Sequence, residues 1–153
     1  MRKDKRAVAN TEEVGQLRYD TYRKSISRIS SSIEAGYYLE AITLCESLIA
    51  DRLESRLNYL TNSDNFSFKN LGKLQEGIIK HDNIEELKRM MIYQKGDLDI
   101  WRDSRNNALH AMAKIVEDDK SDWENKMQKC QIIAEEGEKL RKEVFKLTDI
   151  RKN

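Results

Sequence analysis

The chain is expected to fold as an all-α bundle of four or five main helices, and three observations carry that expectation. Its 153 residues contain no proline, the residue most hostile to a helix interior. Charged residues make up 36% and apolar residues 39%, a balance that suits helices burying one stripe and leaving their other faces in water. Apolar residues also recur at three- and four-residue steps in one segment after another. A chain of this length is served by one core. Residues 1–10, MRKDKRAVAN, are basic and aperiodic and are expected to form a flexible arm, leaving residues 11–153 as the single helical domain.

Thr11 is expected to cap the first helix, with Glu12 and Glu13 in its positive first turn. Val14, Leu17, Tyr22, Ile26, Ile29 and Ile33 follow helical spacing up to Gly36, a natural terminator. The second helix begins near Tyr37 and has the strongest pattern of the chain, with Leu39, Ile42, Cys45, Ile49, Leu53, Leu57 and Leu60 marking a core element. TNSDNFSF then reads as a loop of turn formers that pins Phe66 or Phe68 to the bundle. KNLGKLQEGIIKH is a short third helix weakened by Gly72 and Gly77. Asp82 or Asn83 can cap NIEELKRMMIYQ, with Leu87, Met91 and Tyr93 as its inward residues, and QKGD breaks it. Asp97 or Asp99 opens a helix running to about Val116. EDDKS is a break, and Ser121 or Asp122 starts a last helix with Trp123, Met127, Cys130, Ile133, Leu140, Val144 and Leu147 on its stripe.

The bulk properties exclude several functional classes. A formal net charge of +1, from 28 basic and 27 acidic residues, is no general nucleic-acid signature, so any basic site must be local. Cys45 and Cys130 lie within helical patterns and lack metal-type spacing; they read as buried thiols of a reducing compartment. His81 stands alone in KHDN and reads as a solvated neighbour of a cap rather than a ligand. Asp118 and Asp119 read as a helix boundary before a divalent site. No metal and no cofactor is implied. No run reaches the ~18 apolar residues of a membrane span, and the N-terminal segment lacks the apolar middle of a signal peptide. A soluble, cytoplasmic protein with no membrane partner is expected. Tyr19, Tyr22, Tyr37 and Tyr38 could stack on bases, but packing and interface surface is the more economical role.

The segment WRDSRNNALHAMAKI, residues 101–115, carries the chemistry. On an ideal helix Trp101, Ala108, Leu109, Met112, Ile115 and Val116 gather on one side with Arg105 among them, while Arg102, Asp103, Asn106 and His110 lie opposite. Two readings compete. In one, Arg105 snorkels along the stripe and pairs with an acid of the second helix, Glu46 or Glu54, and His110 is an ordinary solvated residue. In the other, Arg105, Asn106 and His110 form a site for a phosphodiester. Arginine offers a planar fork to phosphate oxygens, and histidine as a residue type exchanges protons near neutral pH. Asn106 and His110 are one turn apart, whereas Arg105 and His110 are about 140° apart around the axis. The three therefore converge only if the helix is irregular or if a second chain completes the site.

RNNALH, residues 105–110, resembles the signature of the HEPN superfamily (higher eukaryotes and prokaryotes nucleotide-binding domains): an arginine, a polar residue, and a histidine after a gap of four to six. ESLIADRLESRL in the second helix is similar to the early helix that lines the groove in that superfamily. By architecture the resemblance covers residues 12 to 150, by sharp motif only six residues, and no subgroup is marked. It implies a metal-independent endoribonuclease whose composite site forms at a homodimer interface. The ribose 2′-OH attacks the adjacent phosphate and leaves 2′,3′-cyclic phosphate and 5′-OH ends. By the same resemblance His110 handles protons, Arg105 stabilises phosphorane-like charge and Asn106 orients its partners, with Arg102, Glu46 and Glu54 in support. RNA would be the substrate, and a prokaryotic toxin–antitoxin or antiviral setting would add an antitoxin or other regulatory protein as partner. Two alternatives remain open: a non-catalytic HEPN-like module that binds nucleotide, RNA or a partner protein, and an unrelated helical scaffold in which RNNALH is coincidence.

Overall fold

A computed structural model describes residues 12–112, 114 and 122–149. The expectations placed on residues 1–10, Thr11, Ile115, Val116, Asp118, Asp119 and Ser121 lie outside them. Among the described residues six helices follow one another: α1 Glu12–Ala35, α2 Tyr38–Thr61, α3 Leu71–His81, α4 Glu85–Met90, α5 Asp97–Ala111 and α6 Trp123–Leu147. The expectation of four or five main helices is corrected to five long ones and one of six residues, α4. That segment is shorter than its pattern suggested because Met91 closes it and Gly96 starts the next helix. Tyr93, expected to face inward, is therefore in the connection and exposed.

α2 is the central helix, packing on α1, α3 and α6, while α5 leans on α6 and α4. This position explains why Ala41, Ile42, Cys45, Leu48, Ile49, Leu53 and Leu57 are all buried; a helix with neighbours on several sides needs more than one apolar stripe. Ile29 of α1, Leu74 and Ile78 of α3, Leu87 of α4, Leu98 and Trp101 of α5, and Cys130, Ala134 and Val144 of α6 complete the core. Leu17 and Trp123 were expected on the buried stripes but stand at helix starts beyond the core, each 62% exposed.

The boundaries have local causes. α1 ends where Gly36 adopts φ 82°, and the Tyr37 amide donates back to the Ser32 carbonyl at 2.7 Å, a left-handed closure that glycine makes without a Cβ penalty. Asn62 ends α2 at φ 48°. Asn70 Oδ1 accepts from the Lys73 amide at 2.9 Å to open α3, and Asp122 Oδ1 accepts from the Asn125 amide at 2.9 Å to open α6, each satisfying an orphan donor of the first turn. At α5 the N-cap is Gly96, which has no side chain to offer. Asp97 and Asp99, the expected caps, lie inside the first turn, where negative charge complements the helix dipole.

Candidate functional site

α5 is a regular α-helix from Asp97 to Ala111, so irregularity does not bring Arg105 and His110 together. Arg105 turns inward: its Nη1 lies 2.7 Å from Glu46 Oε2 of α2, the two side chains being only 17% and 27% exposed. Its Nε is buried without a hydrogen-bond partner. Asn106 and His110 are both exposed. Neither side chain makes a hydrogen bond or ion pair among the described residues. Their one-turn spacing puts them on the same side of the helix, and His110 stands in the last turn, where a cation would suit the helix dipole. A single chain thus brings Asn106 and His110 together and directs the guanidinium elsewhere.

The supporting residues divide. Glu46 is the acid that meets Arg105. Glu54 is instead committed to the loop after α2, where its Oε1 accepts from the Phe68 amide at 2.7 Å. On the ideal helix Arg102 lies opposite the apolar stripe with His110, but it bends back over Gly72 of α3, its Nη2 donating to Asp99 Oδ1 at 3.2 Å. Asp99 is the hub of this junction. It also accepts from Gln75 Nε2 at 3.1 Å and from the Gln94 amide at 2.9 Å. The second acceptance stabilises Gln94 at φ 62°, a conformation that L residues other than Asn and Asp adopt rarely.

Behind Arg105, Trp101 fixes how α5 sits on α6. Its indole Nε1 donates to the Ile133 carbonyl at 2.8 Å, and the ring lies against Gly137, where an added Cβ would come within 2.8 Å of Cζ2. Along the same helix pair runs an open groove of about 420 Å³, bordered by Ser104, Ala108 and Ala111 of α5 and by Lys126, Ile132 and Glu136 of α6. Asn106 and His110 do not line it.

Several charged groups that periodicity did not reveal are structural. Arg56 of α2 grips Asp82 with both Nε and Nη2, the second at 2.8 Å, and Asp82 also accepts from the Ile84 amide at 3.0 Å. Burial by itself would raise the Asp82 carboxyl, but the Arg56 fork and the Ile84 amide outweigh it and hold the group below the usual carboxylate range. Asp51 receives Arg18 and the Tyr22 hydroxyl from α1. Arg52 stacks 4.1 Å over the Phe145 ring of α6. Tyr22 is therefore packing, as its half-buried ring edge-on to Phe145 also indicates, whereas Tyr19 and Tyr37 are exposed. Asp51 and Asp82 lie well apart in sequence from the side chains they bind, so helical spacing carries no signal for these pairs.

Cys45 and Cys130 are both free and buried. Among the described residues no cluster of three or more His, Cys, Asp or Glu is placed to hold a metal ion, and no helix is long and apolar enough to cross a membrane. Comparison with protein-family models, with curated proteins and with solved structures finds no match. Among the described residues, fold and site together define an all-α bundle of six helices with an exposed Asn–His pair on its fifth helix, beside an arginine tied to the second.

Proposed function

We propose that the protein is a metal-independent endoribonuclease of HEPN type that works as a homodimer and leaves 2′,3′-cyclic phosphate and 5′-OH ends. One observation carries this reading: Asn106 and His110 stand exposed one turn apart, without a partner among the described residues and next to an arginine, on a regular bundle helix. The histidine is free to exchange protons with a ribose hydroxyl, and Asn106 can orient it or a phosphate oxygen. Because Arg105 points about 140° away on the same helix, the cation for a phosphate beside His110 comes from a second copy. A two-fold interface places one subunit's motif against the other's in just this reciprocal manner.

Complementation tests it. The full chain is incubated with labelled single-stranded RNA in chelator, and Arg105→Ala and His110→Ala are each expected to abolish cleavage. Mixing the two inactive variants at equal amounts gives half mixed dimers with one intact site of two, so roughly a quarter of wild-type activity returns. Cleavage that survives His110→Ala would end the assignment, and no recovery on mixing would end the shared site.

A second reading, a non-catalytic module that binds nucleotide, RNA or a protein, is favoured by the Arg105–Glu46 pair, which already neutralises the guanidinium. It predicts binding without cleavage by wild type at concentrations that support dimers.

A further inference from the structure

A second basic feature lies on α3, on the edge turned toward the preceding loop. There Phe66, Lys69, Lys73, Lys80 and His81 border an open groove of about 240 Å³. The floor is built rather than incidental. Gly77 has no side chain, and a Cβ there would come within 2.6 Å of the Phe66 ring, so only glycine lets the ring lie down on α3. His81 meets the same ring edge-on with centroids 5.7 Å apart. The loop that delivers Phe66 is pinned by α2: Asn58 Oδ1 accepts from the Phe66 amide at 3.1 Å and Asn58 Nδ2 donates to Ser67 Oγ at 3.1 Å. Glu54 then fastens the Phe68 amide, with Phe68 held at φ 61°.

Around this aromatic floor the charge is one-sided. Lys69 and Lys80 are exposed and make no ion pair among the described residues. Lys73 reaches the single acid of the rim, Glu76, at 3.4 Å with both side chains mostly in water, a pairing worth little. In a chain whose net charge is only +1, three lysines round one ring are a local departure. An apolar planar floor with a cationic rim matches a ligand that offers a flat base and an anionic backbone. The volume falls below the ~300–1,000 Å³ of drug-sized clefts and suits one base of a longer strand.

We propose that this groove binds single-stranded RNA, with a base on Phe66 and backbone phosphates on Lys69, Lys73 and Lys80. This inference rests on the reading of the protein as one that acts on RNA. It assigns α3 the task of holding the strand, away from the chemistry on α5. Lysine contacts to phosphate release counterions and give a salt-dependent affinity, and stacking adds a contribution that salt does not touch.

The test uses the full-length His110→Ala chain, so that RNA stays intact, and a labelled uridine dodecamer titrated at several salt concentrations. Replacing Lys69, Lys73 and Lys80 together by alanine is expected to reduce the slope of log affinity against log salt by about two. Phe66→Leu is expected to weaken binding roughly 5- to 100-fold at unchanged slope, while Phe66→Tyr retains it. Thermal melting checks that each variant is folded; the exposed lysine changes keep the test decisive even if Phe66→Leu unfolds. Equal affinity and slope for the triple variant and its parent would overturn the proposal. So would uridine monophosphate binding as tightly as the dodecamer, or a glutamate dodecapeptide matching the RNA. Cleavage and complementation at His110 are read separately, so loss of this groove leaves the α5 assignment standing, and the converse holds.

Discussion

Arg105 of α5 meets Glu46 of α2 at 2.7 Å, and the guanidinium's own Nε is buried with nothing to donate to. The pair ties together two helices that otherwise share few neighbours, since α5 leans on α6 and α4. Removing one partner of such a half-buried pair strands the other charge. Glu46→Ala is expected to cost about 1–3 kcal/mol, between the values for exposed and fully buried pairs, whereas Arg105→Met, which keeps the stem and removes the charge, should cost less. Denaturant unfolding of the two variants checks the order. The reverse order would mean that the stranded Glu46 carboxylate costs more than the stranded guanidinium.

Asp82 is enclosed, and Arg56, only 11% exposed, grips it from α2. Asp82→Asn should destabilise the protein by about 3–5 kcal/mol, because Arg56 loses its counter-charge. The sign of the pH dependence follows from the depressed carboxyl. Its stabilisation is complete above the unfolded value of ~3.9 and disappears as pH falls through the lower folded value. Thermal melts between pH 2 and 6 should therefore show a steeper acid loss in wild type than in Asp82→Asn.

Two glycines in helices should respond oppositely to alanine. At Gly15 nothing lies within 4 Å of an added Cβ, so Gly15→Ala should gain about 0.5–1 kcal/mol from helix propensity alone. At Gly137 the Cβ would press on the buried Trp101 ring. A wide, enclosed indole anchored by a hydrogen bond cannot step aside, so Gly137→Ala should lose about 1–3 kcal/mol from overpacking despite the better propensity. Stabilisation at both positions would show that the Trp101 seat is soft.

Burial, with the Glu138 carboxylate beside it, pushes the Cys45 thiol up to about 12, and burial also raises Cys130. Thiolate is the reactive form. Neither cysteine should react with an aromatic disulfide reagent at pH 8 in the folded protein, and both should react at once in denaturant. Rapid labelling without denaturant would show local opening of α2 or α6.

Much of the fold was legible in the sequence. The stripe of α2 came through because its period is the helix period, and Gly36 marked the end of α1 because only a residue without Cβ closes that turn cheaply. The pairing of Arg105 with an acid of the second helix was one of two open readings, and Glu46 is the acid that meets it. Glu54 sits two turns further along the same helix and faces the loop at Phe68 instead. Nothing in the spacing separates these two acids, because their difference lies in which neighbour passes each turn of α2. Arg102 shows the same limit: on a wheel it shares a side with Asn106, but Gly72 leaves room for it to fold back onto Asp99.

By itself the sequence determined that the chain is helical, where most of the helices run, and that Asn106 and His110 share a side of one of them; these follow from local geometry and the period of a helix. Only the tertiary structure decided that α5 stays regular through the motif, that Arg105 turns inward to meet Glu46 within its own chain, and that Gly77 seats Phe66 among lysines. Each of these depends on which surfaces meet across the bundle, and contacts between distant residues leave no periodic trace in the chain.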